Sequence, residues 1–185
     1  MSPDSPEAVH RPPHPLALAL IERLRERPGA PVLEIGAGSG RNTRALLEAG
    51  LHIGSAPTGG PYAAALATHA LLHGTPASLA SKLATIAGVL EPGAALFATF
   101  GSTRDARYQT GTLLEPHVYA PNDGDERGVA HAYFDATRLR VLLEPNFTIE
   151  SMREVAVDKI AGQWAHPTSP LHGAVHWFVI ATRRD

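Results

Sequence analysis

Residues 32–62 read VLEIGAGSGRNTRALLEAGLHIGSAPTGGPY. A short apolar run, bounded by Pro31 and Gly36, suits a buried parallel strand. Residues 41–49 suit a helix, with Gly50 placed to cap its end. Between them stand Gly36, Gly38 and Gly40. Glycine lets the backbone turn sharply there and approach a ligand with no β-carbon in the way. The following helix start offers unpaired N–H groups and the positive end of a dipole. The pattern is E-x-G-x-G-x-G, so it departs from the G-x-G-x-x-G of dinucleotide sites, and the Gly-Lys-Ser/Thr of phosphate loops is absent. The stretch is either a tight structural turn or a cradle for the carboxylate of an amino-acid-like ligand, with Arg41 or Arg44 assisting.

Other elements follow from periodicity and punctuation. Leu16, Leu20, Ile21 and Leu24 predict a helix over residues 16–27, stopped by Pro28-Gly29. Residues 62–68 form an alanine-rich buried strand. Thr75-Pro76 opens a helix carrying Leu79, Leu83, Ile86 and Leu90, the first as N-cap and the second at the first helical position. Residues 94–100 are a strand, and 101–131 a long loop of the kind that covers a site. Asp135 caps a helix with Leu139, Leu142 and Leu143; residues 147–157 and 176–182 alternate as strands. With no room for a helical crossover between them, these last two are expected to be antiparallel. Early strand–helix alternation predicts a parallel α/β sheet with helices on both faces.

At 185 residues and 44% apolar content the chain fits one domain with a proper core. We expect residues 1–15, rich in proline, to be a disordered lead, and residues 16–185 to be the domain. The 16 basic and 18 acidic residues show no like-charged block. That argues against nucleic acid or a membrane surface as partner, since both require clustered basic residues. The run LALALI is too short to be a signal core or a membrane span. The absence of cysteine excludes disulfides and thiolate chemistry and fits a cytoplasmic protein. The oligomeric state is not legible.

VLEIGAGSGRNTRALLEAG resembles the first motif of class I S-adenosylmethionine-dependent methyltransferases. VLEPGAALFATF is similar to the helix end, turn and strand that follow their fourth strand, and YFDATRLRVLLEPNFTIESM to their C-terminal helix and strand. The three occur in the family's order over most of residues 30–157. The resemblance implies a Rossmann-like, mostly parallel sheet with an antiparallel C-terminal strand, and S-adenosyl-L-methionine across the ends of the first strands. It implies that Glu34, Gly36, Ala37, Gly38, Gly40 and Asn42 contact the methionine part. Thr68 and His69 would lie near the sulfonium and the acceptor.

One part of that pattern is missing. The family ends its second strand with a carboxylate that accepts both ribose hydroxyls, yet no Asp or Glu occurs between Glu48 and Glu91. Residues 50–62 are also too short for strand two, its crossover helix and strand three. LHIGS remains as a possible edge strand. We therefore expect a sheet shortened by loss of strand three and neighbouring helices, either native to a compact form or the result of an internal deletion. Ser55, Thr58 or the backbone at Gly59-Gly60 would then receive the hydroxyls.

THALLHGT sets His69 and His73 at the mouth of the expected site, each able to act as general base near neutral pH; His73 equally suits a packing or capping role. Their spacing offers a metal no third ligand, and no metal is expected. NDGDERG reads as a solvated acidic turn. Asp105, Arg107, Tyr108, Tyr119, His131 and Tyr133 are candidates for the acceptor pocket and lid, with His69, His73 and Tyr133 the candidate catalytic residues. Trp164 and His166 either close the site or anchor the last connection. The leading expectation is a methyltransferase acting on a small-molecule acceptor. The alternative is a non-catalytic binding or assembly protein of the same fold with weakened cofactor affinity. A nicotinamide oxidoreductase is disfavoured by the glycine spacing and the missing acid.

Overall fold

A computed structural model describes residues 12–157 and 172–185. In chain order the elements are α1 (Pro15–Arg23), β1 (Pro31–Glu34), α2 (Arg41–Glu48), β2 (His52–Gly54), β3 (Tyr62–Ala67), a single 3-10 turn (Ala70–Leu72) and α3 (Pro76–Val89). They continue with β4 (Leu90–Ser102), β5 (Thr112–Glu115), β6 (Val118–Ala120), β7 (His131–Phe134), α4 (Ala136–Leu143), β8 (Phe147–Ala156) and β9 (Val175–Arg183). Of the expected lead, residues 1–11 lie outside the described residues, as do Trp164 and His166. His14 is built into the fold: it is buried, and its Nδ1 caps α1 by accepting from the Leu16 amide.

The sheet runs β2-β1-β3-β4, all parallel. β9 lies antiparallel to β4 on the far side, and β8 antiparallel to β9. This is the Rossmann-like arrangement with an antiparallel C-terminal strand, and among the described residues β2 is the only strand beyond β1. The expected shortening is therefore present. The connection from β2 to β3 nevertheless exists, and it carries no helix: residues 55–61 cross directly. The Tyr62 hydroxyl fastens this crossing, shared between the carbonyls of Ala56 and Thr58 at 3.2 Å each. A β-carbon on Gly54 would overlap the Tyr62 ring, so glycine there lets β2 close over it.

Alternation along the strands separates two cores. Leu33, Ala65, Leu96 and Phe100 face α3 and α4 through Leu79, Leu83, Ile86, Leu139 and Leu143. Val32, Ala64, Leu66 and Phe97 face α1 and α2 through Leu16, Leu20 and Leu46. The alanines of β3 keep the central strand thin enough for helices to pack on both sides. Thr75 and Ser78 form a reciprocal capping box at the start of α3, and Asp135 caps α4 through the Arg138 amide. Among the described residues no helix is long and apolar enough to cross a membrane.

The region expected to be a loop, residues 101–131, is more structured than its sequence suggests. β5 and β6 form a hairpin, β6 pairs with β7, and β7 joins β4 in parallel at Gly101 and Ser102. The end of β4 thus has two neighbours, β7 and β9, and Gly101 sits between them. A β-carbon there would lie 2.6 Å from the Ala132 carbonyl oxygen. Gly101→Ala should lower the thermal midpoint by roughly 3–10 °C, reflecting about 1–3 kcal/mol of overpacking. Gly88→Ala, inside α3 with nothing within 4 Å, should leave the midpoint unchanged or raise it. Equal midpoints for the two variants in a thermal melt would contradict this account of the β4–β7 junction.

Candidate functional site

β1 delivers the glycine bend. Gly36, Gly38 and Gly40 all take positive φ, at 71°, 54° and 77°, and Gly36, Gly38 and Ser39 are exposed. Among the described residues the bend is not plugged: nothing lies within 4 Å of a β-carbon built on Gly40. At Gly36 such a carbon would meet Ala70 Cβ at 2.8 Å, so the turn that follows β3 packs against the bend. Gly40 then caps α2 in the left-handed conformation, its amide closing the turn on the Ala37 carbonyl at 2.9 Å.

Two buried polar groups hold this bend. Asn42, in the first turn of α2, accepts from the His14 amide at 2.8 Å and donates to Thr68 Oγ1 at 2.9 Å. Both of its amide ends are thus engaged within the protein, as is the Thr68 hydroxyl. Glu34 ends β1 at 2% exposure. Thr43 donates to its Oε2 at 2.5 Å, while Oε1 is buried without a hydrogen-bond partner among the described residues. Burial pushes this carboxyl above its ordinary pKa, partly offset by the Thr43 hydrogen bond. A buried carboxylate oxygen left unmatched is costly, and it is a ready acceptor for an ammonium group.

These features fit the methionine end of S-adenosylmethionine. The bend offers exposed backbone and a helix N-terminus to a carboxylate, and Glu34 offers an acceptor to the amine. Arg44 is held in an exposed pair with Glu48, while Arg41 stands near His14. The adenosine end fits poorly. β2 ends at Gly54 with no carboxylate, and both Ser55 and Thr58 are exposed on the crossing.

His69, next to Ala70, stands in a left-handed conformation (φ 61°), with its amide donating to Thr99 Oγ1 at 2.7 Å. Its ring is in edge contact with His14 (centroids 5.7 Å) and His176 (5.3 Å). Burial is the chief cause that lowers the pKa of His14 to about 2 and of His176 to about 3, so both stay neutral. Asp105 is buried beneath, accepting from the amides of Arg107 and Val175 and from Arg107 Nε. It ties the loop after β4 to the start of β9.

His73 does not share a site with His69 in the way their spacing suggests. It turns to Glu126 (Nε2···Oε1 3.2 Å), and His131 reaches the other oxygen of that carboxylate (Nε2···Oε2 3.1 Å). Glu126 belongs to NDGDERG. Asp123 and Asp125 are exposed, as a solvated turn requires, but Glu126 faces inward. The hydrogen bonds from His131 and His73 hold its carboxyl well below the usual carboxylate range. Tyr133 packs with Tyr108 and Tyr119, centroids 5.6 and 6.2 Å away, and burial raises its pKa to about 12. Tyr108 stacks on His117 and shares a 2.6 Å hydrogen bond with its Nδ1. His117 and Glu126 are the members of this region that sequence reasoning missed.

No family model matches the sequence, and no curated protein does. Solved structures do. The chain is similar to an S-adenosylmethionine-dependent methyltransferase from Methanosarcina mazei (15% identity, TM-score 0.65, covering 89% of this chain and 97% of that one). It is similar to 1,6-didemethyltoxoflavin-N1-methyltransferase from Burkholderia thailandensis, solved with 1,6-didemethyltoxoflavin and S-adenosylhomocysteine bound (21%, 0.65, covering 96% and 79%). A methyltransferase from Mesorhizobium loti is a third (15%, 0.58, covering 90% and 96%). The chain has the class I S-adenosylmethionine-dependent methyltransferase fold.

The two neutral histidines make stability depend on pH. Their folded pKa values lie below the ordinary 6.5, so the unfolded chain takes up these protons first and stability falls as pH drops below about 6.5. Between pH 6.5 and 5 the pair should remove about 3 kcal/mol, at roughly 1.4 kcal/mol per histidine per pH unit once well below 6.5. Urea denaturation at the two pH values measures this. His14→Asn, which keeps a capping acceptor, should roughly halve the loss, and a pH-independent midpoint in the wild type would refute the assignment.

Proposed function

We infer that this chain, having the class I methyltransferase fold and an open glycine bend, binds S-adenosyl-L-methionine and transfers its methyl group to a small-molecule acceptor by in-line displacement. The observation that carries the inference is the pairing of positive-φ backbone at Gly36, Gly38 and Gly40, exposed at the first two, with the buried Oε1 of Glu34, unmatched among the described residues. One end of a zwitterionic amino acid is matched by each. When bound, the cofactor supplies an electrophilic methyl: the acceptor's lone pair forms the new bond as the carbon–sulfur pair returns to sulfur.

The protein's contribution is chiefly positioning, which is worth about 7–11 kcal/mol when reacting atoms are held in line. His69 adjoins the turn packed on the bend, and its backbone is fixed by Thr99. We assign it the proton that an oxygen or nitrogen acceptor releases, a step worth about 10²–10⁴-fold. His73, bonded to Glu126, and Tyr133, within the tyrosine cluster, line the acceptor side. The Burkholderia neighbour is an N1-methyltransferase of 1,6-didemethyltoxoflavin, and here the clustered Tyr108, Tyr119 and Tyr133 support an acceptor with an aromatic ring.

The missing carboxylate after β2 favours a second reading, a protein of this fold with weakened cofactor affinity acting as a binding partner. Loss of a charged hydrogen bond costs about 1.5–3 kcal/mol, or roughly ten- to hundredfold in affinity. Calorimetric titration with S-adenosylmethionine and S-adenosylhomocysteine separates the two. The first reading predicts saturable one-to-one binding, weakened at least tenfold by Gly38→Val or Glu34→Ala. No heat at millimolar ligand would leave the second reading standing.

A further inference from the structure

His73, Glu126 and His131 come from three separate places: the turn after β3, the acidic segment before β7, and the first residue of β7. Their ligand atoms all lie within 4.8 Å of one another. We propose that these three side chains bind one divalent transition-metal ion of zinc-like chemistry, leaving a fourth coordination position open.

Geometry carries the proposal first. Each imidazole Nε2 faces a different oxygen of one carboxylate, at 3.2 and 3.1 Å. Donors placed 2.0–2.1 Å from a tetrahedral ion are separated by about 3.3 Å; both imidazole–carboxylate distances already match this, and the rings must draw together within the 4.8 Å cluster to share one ion. The two rings stand at 88° with centroids 4.8 Å apart, converging on the carboxylate from two sides.

The tautomer of His131 carries it second. Its Nδ1 lies 2.8 Å from the Val129 carbonyl. A carbonyl only accepts, so Nδ1 bears the proton, and Nε2 of the neutral ring carries a lone pair. That lone pair faces a carboxylate oxygen, which also only accepts. A cation bound by both would satisfy the two acceptors at once. An Nδ1–H bonded to a backbone carbonyl is also the arrangement that orients a histidine for metal through Nε2.

Rigidity and access carry it third. The backbones of His73 and His131 are bridged directly. The Gly74 amide donates to Ala130, and Lys82 Nζ to the His73 carbonyl. The His131 side chain is 3% exposed, while those of Glu126 and His73 are 24% and 37% exposed. Among the described residues the site is therefore fixed on one side and partly exposed on the other. Arg107 Nη1 stands 3.6 Å from Glu126 Oε2 and competes for that oxygen, but its Nε is committed to Asp105. Two imidazoles and one carboxylate suit zinc, cobalt or ferrous iron, and not magnesium or calcium, which require oxygen ligands. The open position is available to an oxygen or nitrogen of the acceptor; this role rests on the methyl-transfer reading, whereas metal binding does not.

The test uses the full chain stripped with a chelator. Co²⁺ titration should give four- or five-coordinate visible bands saturating at one ion per chain, displaced by Zn²⁺. His73→Ala and Glu126→Gln, both at partly exposed positions and checked for folding by circular dichroism, should each weaken Zn²⁺ binding at least tenfold by calorimetry. Absence of bands in the wild type at excess Co²⁺, or unchanged affinity in both folded variants, would overturn the proposal. Because the readout needs no cofactor, its failure is distinct from failure of S-adenosylhomocysteine binding.

Discussion

The Asn42 side chain is the constraint on which the site depends. It joins the segment entering α1, the first turn of α2 and the residue after β3 through two buried hydrogen bonds. Without it the three glycines would be only a flexible stretch, since each left-handed residue removes a reason for the chain to keep a single shape. With it, the bend is clamped from behind while its front stays exposed. Each such bond contributes only about 0.5–1.5 kcal/mol net, but stranding its buried partners costs more. The clamp also explains the burial of His14, which caps α1 with its ring and reaches Asn42 with its amide.

The compact middle of the sheet has a matching physical logic. A helix-free crossing between β2 and β3 works because β2 is only three residues long and because Tyr62 supplies an internal strut for the crossing. At the end of β2, where the family resemblance implies a ribose-binding acid, this chain has Gly54 and Ser55. The two halves of the proposed cofactor site therefore differ. The proposed methionine half holds the buried Glu34 carboxyl, while the proposed adenosine half has exposed hydroxyls at Ser55 and Thr58.

What the sequence disclosed was local. The glycine turn, the Thr75 and Asp135 caps, the central strands and the antiparallel final pair depend on neighbours within a few residues or on simple periodicity. The helix ending at Arg23 rather than Arg27 reflects the bias against helix ahead of Pro28. What remained hidden was non-local. HAYF is too short to announce β7, and its pairing with the end of β4 requires Gly101 to admit the Ala132 carbonyl. Glu126 looks like one more solvated acid in NDGDERG until β7 brings His131 beside it. His69 and His73 share a helix-like spacing, yet the turn between them sends one to His14 and His176 and the other to Glu126.

The central claim is that backbone at the tip of β1 grips the amino-acid end of the cofactor. Amide-resolved NMR of the ¹⁵N-labelled chain, titrated with S-adenosylhomocysteine, addresses it most directly. The account predicts the largest shifts at Gly36, Gly38, Gly40 and the first turn of α2, with smaller ones across residues 52–60. Shifts confined to other surfaces, with the glycine amides unmoved at saturation, would contradict it.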